Sequence, residues 1–320
     1  MKALMTMLMM WVLAFAAAAQ PAKIPVVLDT DIGDDIDDTW ALAMLLRHSH
    51  FDLKMVTTTH GSAEYRAKLV CKLLTVAGRT DVAVGLGAGG RNGGDKQLAW
   101  VKDYKLTDYA GKVHEDGVQA LIDLVMKSDQ PVTIIGIGPT ETLAEALKRE
   151  PGIAPRAIFV GMQGSVRVGY GGKATPDAEW NVKCNVKASK AVFSANWKEM
   201  RITPLDTCGL IHLQGQNFAR LATSQDKLAQ AVLENYRIWA GKPRVSDLNS
   251  SSTLFDTVAV YLADPGKDPL FEIEELPISV DDKGFTVIDP NGRKMKVASK
   301  WKSLDGYHDL LTKVIEGTDW

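Results

Sequence analysis

Short apolar, β-branched runs alternate with helical patterns through most of this chain, and that alternation constrains the fold more than any other feature. Strands are expected at Pro25–Leu28, Leu53–Thr58, Val82–Val84, Val132–Ile135, Ala157–Val160 and Met200–Leu205. Helices are expected between and after them, near Thr39–Arg47, Ala63–Ala77, Gly117–Lys127, Glu141–Arg149, Ala188–Ala195 and Leu228–Trp239. This order implies an α/β fold, a mostly parallel open sheet flanked by helices. The strands are nearly continuous in apolar residues, as a sheet covered on both faces requires. From Phe271 to Val297 the pattern changes to short strands, with turns at Asp281-Asp282-Lys283-Gly284 and Asp289-Pro290-Asn291-Gly292. That stretch reads as a small C-terminal β appendage, followed by a helix over Ser303–Glu316. No linker, repeat or low-complexity tract interrupts residues 20–320, which read as one domain.

Residues 1–19 stand apart. Met1 and Lys2 precede an apolar run from Ala3 to Ala19 broken only by Thr6 and ending in Ala17-Ala18-Ala19. One positive charge, an apolar stretch and a small-residue end form the pattern of a secretory signal peptide. The run is slightly short for a membrane anchor and does not end in Lys or Arg. A mature chain starting near Gln20, exported to the periplasm or secreted, is the expectation, with no later apolar run long enough to span a bilayer. The full sequence has 37 basic and 39 acidic residues, a formal charge of −2. A chain so balanced carries no global footprint for nucleic acid or anionic membrane. The cysteines, Cys71, Cys184 and Cys208, have no zinc-ligand spacing. Cys71 reads as a small core residue, and a Cys184–Cys208 disulfide is open to the chain in an oxidising compartment.

Directly after the first strand comes Asp29-Thr30-Asp31-Ile32-Gly33-Asp34-Asp35-Ile36-Asp37-Asp38, in which six of ten residues are aspartates. No Lys or Arg occurs between Lys23 and Arg47. The C-terminal end of a strand is where open α/β sheets place ligands. Acids this dense repel one another unless some stay protonated, point apart into water, or share a cation. A hard divalent ion with oxygen ligands, Ca²⁺ or Mg²⁺, suits them better than a transition metal. The plain alternative is a solvated turn with Asp38 as helix N-cap, for which one aspartate would suffice. An EF-hand reading fails, because Gly33 and Trp40 occupy its fifth and twelfth positions. Asp29-Thr30-Asp31-Ile32-Gly33 also resembles the opening of a haloacid-dehalogenase-type metal-dependent phosphatase, with Gly33 where Thr or Val belongs.

The acidic loop resembles the N-terminal fingerprint of the inosine–uridine nucleoside hydrolase family, in a longer version with two inserted residues. Further stretches match that family in order. They are Thr57-Thr58-Thr59-His60-Gly61, His114-Glu115-Asp116-Gly117 and Ile135-Gly136-Ile137-Gly138-Pro139-Thr140 with Leu143 and Ala144. Gly161–Ser165 with Thr175-Pro176-Asp177-Ala178-Glu179-Trp180-Asn181, and Phe255-Asp256 before Val258-Ala259-Val260, complete the set. The resemblance implies a calcium-dependent N-glycosidase acting on a small-molecule riboside, often as a homodimer or homotetramer. It implies Asp31 as calcium ligand and as base toward the metal-bound water, with Asp38, Asp256 and the Ile137 carbonyl completing the ligands. Asp37 would hold ribose hydroxyls, and Glu179 and Asn181 would bind the sugar from the other side. The insertion leaves the division among Asp34, Asp35, Asp37 and Asp38 open.

Three positions depart from the family. Ser62 replaces an Asn in the second loop, Lys173 replaces an Asn before the Thr-Pro segment, and Phe255 replaces a His that in some members protonates the leaving base. The expectation is that ribose recognition survives while the aglycone differs from plain purine or pyrimidine. Phe255 also keeps open a periplasmic riboside-binding protein without chemistry. Trp180 stands between two sugar-binding positions, where it is as well suited to line a pocket as to fill a core. His60 and His114 sit in motif loops, where a structural role is the commoner one. Gly85-Leu86-Gly87-Ala88-Gly89-Gly90 fits GxGxxG literally but is not followed by an apolar helix face, so a flexible loop near the site mouth is expected.

Overall fold

Among the described residues of the computed structural model, 22–90, 94–318 and 320, ten strands join in one sheet. The opening apolar run lies outside them. The strands are β1 (Ile24–Thr30), β2 (Phe51–Thr58), β3 (Ala83–Gly85), β4 (Val113–His114), β5 (Val132–Gly136), β6 (Ala157–Met162), β7 (Glu199–Thr203), β8 (Phe271–Val280), β9 (Thr286–Ile288) and β10 (Arg293–Trp301). They lie in the order β4-β3-β2-β1-β5-β6-β7-β10-β8-β9. The first seven run parallel, and β10 continues parallel to β7. β8 and β9 follow antiparallel. The expected β appendage is therefore hydrogen-bonded into the main sheet, through Lys296 opposite Arg201 and Val297 opposite Ile202.

Side chains alternate across β1, and both faces are buried. Val26 and Leu28 join one core with Val56, Ile135 and Val160. Val27 joins the other with Ile134, Phe159 and Ile202. This is why the strand reads as an unbroken apolar run. β1 continues past Leu28, because Asp29 pairs with Thr57 and Gly136, and Thr30 with Thr58. Sheet pairing on both sides outweighs the low strand preference of aspartate. β7 stops earlier than expected. Pro204 ends it, and Leu205–Cys208 forms a helical turn.

Several short elements carry no readable period, among them β4 and helices Leu98–Val101 and Trp180–Lys183. Helix Thr257–Ala263 is buried at every position, so no amphipathic stripe marks it. All three cysteines are free thiols, so Cys184 and Cys208 are not joined. No helix among the described residues is long and apolar enough to cross a membrane.

Strand β1 lies between β2, its successor in the chain, and β5. Strand order reverses there, and the crevice beyond the strand ends is the place this topology offers a ligand. The loop after β1 and the loop after β5 both open into it.

Candidate active site

The acidic loop is shaped by its backbone. Four consecutive carbonyls are each taken by a side chain from another element. Arg66 Nη1 donates to the Ile32 oxygen at 2.9 Å and the Tyr65 hydroxyl to that of Gly33 at 3.1 Å. Trp239 Nε1 donates to Asp34 O at 3.0 Å and Gln97 Nε2 to Asp35 O at 3.1 Å. Gly33 has φ +113°, in the region that favours glycine, and a Cβ there would meet Leu69 and Tyr65 at 2.7 Å. With the carbonyls held outward in this way, aspartate side chains of the loop are free to gather on the inner side.

Helix Asp37–Leu46 starts inside that loop. Ile36 is its N-cap and makes no side-chain capping bond. Asp38 is therefore not the solvated cap of the plain alternative. It is buried, and its Oδ1 accepts the Thr30 hydroxyl. Carboxylate oxygens of Asp37, Asp38 and Asp256 lie within 4.8 Å of one another, and all three residues are buried. Asp256 stands at the start of helix Thr257–Ala263, and its N–H donates to Asp37 Oδ2 at 3.3 Å. Asp31 lines the same cavity beside this tight set.

Burial, and then the neighbouring carboxylates, push Asp37, Asp38 and Asp256 well above the usual carboxylate range. Asp31 is raised to about 6 by burial, against the opposing pull of Arg66 and His60. Asp29 is raised to about 8, again by burial first. Its Oδ1 accepts the Thr57 hydroxyl at 2.6 Å, but its Oδ2 is buried without a partner. Anions concentrated in this way favour either protons or a cation.

The opposite wall comes from the loops after β5 and β6. Gly138 lets Asp31 approach, since a Cβ there would stand 2.6 Å from Asp31 Oδ1. Asn181 Nδ2 donates to the carbonyls of Ile137 and Met162, each at 3.1 Å. Glu179 accepts N–H groups from Asn181 at 2.8 Å, Gly164 at 2.9 Å and Val182 at 3.3 Å, and burial raises it to about 7. Trp180 is 46% exposed. Phe255 packs edge-on to Tyr170 with ring centroids 6.1 Å apart. The Tyr170 hydroxyl accepts the Trp180 N–H at 2.9 Å.

One cavity is thus lined by Asp31, Asp37, Asp38, Ile137, Glu179, Trp180, Asn181, Phe255 and Asp256. Ser62 does not line it. It precedes helix Ala63–Val76 in the N-cap position, without a side-chain capping bond. His60 lines a different cavity with Glu141, whose Oε2 is 3.4 Å from its Nδ1. His114 lies on edge strand β4, away from the acids. Lys173 pairs with Asp177 at 2.5 Å. The glycine turn at 85–90 is bonded down rather than loose. Ala88 N–H meets the Thr142 hydroxyl at 2.9 Å, and Gly90 N–H meets Gly61 O at 2.8 Å. That turn borders the His60 cavity, and Lys96 further on reaches the acidic one. Lys96 and Tyr170 line the site but were unmarked in sequence, each standing outside any recognisable motif, and Met162 lines it from within the Gly161–Ser165 stretch.

The donor set is all oxygen: a tight carboxylate trio and one further aspartate in the same cavity. It suits a hard divalent cation. Comparison with known proteins places this geometry in a family. A model of the inosine-uridine preferring nucleoside hydrolases matches residues 26–307. The non-specific ribonucleoside hydrolase RihC of Klebsiella pneumoniae is 26% identical over an alignment covering 88% of this chain and 94% of that protein. A plant nucleoside hydrolase superposes with a TM-score of 0.75 at 20% identity, covering 92% of this chain and 99% of its own. A purine-preferring ribonucleoside hydrolase from Gardnerella vaginalis superposes with a TM-score of 0.71 at 21% identity and the same coverage. The chain belongs to the inosine-uridine preferring nucleoside hydrolase family, a metal-dependent family that cleaves N-ribosyl bonds.

Proposed function

We propose that this protein hydrolyses the N-ribosyl bond of a riboside with Ca²⁺ in its aspartate cluster. The observation that carries this reading is the convergence of Asp37, Asp38 and Asp256 within 4.8 Å at the sheet's switch point. Asp31, Asp38, Asp256 and the Ile137 carbonyl are the assigned ligands, and Asp37 is close enough to serve either the ion or the sugar. The chemistry calcium supplies there is polarisation of a water molecule. Asp31, which lines the cavity beside the carboxylate trio, would be the base that takes that water's proton. Glu179 and Asn181 orient the ribose hydroxyls from the opposite wall, fixing the line of attack on the anomeric carbon. The surrounding carboxylates favour the positive charge that gathers on the sugar as the bond to the base breaks.

Export is part of the proposal and rests on the pattern of residues 1–19. Sequencing the N-terminus of the mature protein from a fractionated cell tests it. A homo-oligomer is also proposed, and sedimentation measures it. Ribose release from a riboside panel, with calcium and with a chelator, tests the chemistry. Calcium-dependent release is expected. Tight riboside binding without release would instead make the protein a receptor.

A further inference from the structure

Cleaving an N-ribosyl bond leaves an electron pair on the ring nitrogen of the aglycone. A neutral purine or pyrimidine then departs as an anion unless an acid protonates it, and such an acid contributes about 10²- to 10⁴-fold. The aromatic side of this cavity is poor in acids. Phe255 has no proton to give. The Tyr170 oxygen accepts the Trp180 N–H, and burial pushes its phenol far above the usual range, which makes its O–H a weak acid toward a departing base. Glu179 has both carboxylate oxygens occupied as acceptors of backbone N–H groups. The Lys96 ammonium sits over the Trp239 ring, 5.3 Å from its centroid. Of fourteen lining residues, seven are acidic and one is a lysine. Half of the lining residues are thus acidic, and the exposed face of Trp180 and the Tyr170–Phe255 pair offer aromatic surface beside them. Aromatic faces attract a positively charged ring, and among the described lining side chains Lys96 is the one cation that opposes it.

We infer that the preferred substrate is a cationic N-ribosyl heteroaromatic of the pyridinium class, which needs no proton to leave. The inference rests on the hydrolase reading above. Water oxygen bonds to the anomeric carbon as the carbon–nitrogen bond breaks. That bond's electron pair neutralises the ring nitrogen, and the water's proton passes to Asp31. The products are ribose, a neutral base and one proton.

The test compares three ribosides on the calcium-loaded protein: nicotinamide riboside, inosine and p-nitrophenyl β-ribofuranoside, whose leaving group also needs no acid. Nicotinamide riboside is expected to exceed inosine in kcat/KM by about 10²-fold or more, the contribution of the missing acid. Its kcat is expected to stay level from pH 7 to 9, where a required acid would make it fall. Phe255→His is expected to raise inosine turnover at least tenfold. Inosine turnover equal to that of nicotinamide riboside overturns the inference and leaves the hydrolase reading standing. So does cleavage of the p-nitrophenyl compound without cleavage of the pyridinium. Loss of inosine turnover in Lys96→Gln would identify Lys96 as the leaving-group acid and also overturn it. Release of ribose from none of the three overturns the hydrolase reading itself.

Discussion

At the scale of single residues, the aspartates are set against one another, and a bound cation would reconcile them. Replacing Asp256 by Asn removes one of three mutually repelling buried carboxylates. Without calcium, this variant is expected to unfold at a higher temperature than the wild type. With calcium at 100 times its Kd, the wild type gains about 2.7 kcal/mol and the variant gains far less. Scanning calorimetry with and without calcium reads both halves, and equal calcium stabilisation of the two proteins would remove Asp256 from the ligand set. Gly138 is the second test. Its missing side chain leaves room for Asp31, so Gly138→Ala must displace that carboxylate. A displacement of about 1 Å is expected to lower ribose release roughly 10²-fold with the circular dichroism spectrum retained. The acids were legible in sequence because six aspartates in ten residues have no cheap structural explanation. Lys96 and Tyr170 were not, since a lone lysine or tyrosine in a loop is ordinary surface until the fold brings it to a crevice.

At the scale of elements, the loop after β1 behaves as a part clamped from behind. Tyr65 serves it twice, donating to Gly33 O and accepting the Gln97 N–H at 3.0 Å. Tyr65→Phe leaves a buried acceptor and a buried donor unpaired, which costs about 1–3 kcal/mol. Chemical denaturation checks that figure. Ribose release from the same variant is expected to fall at temperatures where it remains folded, because the loop it releases carries Asp31. Full activity there would mean the clamp is dispensable. Helix Gly117–Lys127 and helix Glu141–Arg149 lie where their apolar periods put them. Helix Thr257–Ala263, which carries Asp256 at its start, was announced only by the resemblance of Phe255-Asp256 to a family motif. Wholly buried helices show no period, so propensity and pattern are both silent there.

At the scale of the whole molecule, helices Asp37–Leu46 and Thr257–Ala263 pack against each other and both begin at the acidic site. Their far ends lead to His48 and Asp264. His48 is stacked on Phe51 at 3.7 Å, and burial lowers its pKa from 6.5 to about 4, with Asp264 opposing and His50 reinforcing the shift. The unfolded chain therefore binds this proton more readily than the folded one. The stability His48 contributes is complete above pH 6.5 and is lost as pH falls from there toward 4. Denaturant midpoints at pH 7 and pH 5 are expected to differ more for the wild type than for His48→Gln. Identical differences would mean the ring is not the group responsible.

The order of strands and helices, and the presence of an acid-lined site at the end of the first strand, belong to the sequence alone. Periodicity and charge density are local properties, and a chain displays them before it folds. Which acids meet was decided by tertiary structure. Asp37 and Asp38 are joined by Asp256, more than two hundred residues away. The same holds for the joining of β10 to β7 and for the aromatic wall of Tyr170 and Phe255. These are contacts between distant segments, set by sheet order and helix packing, and no window of sequence contains them.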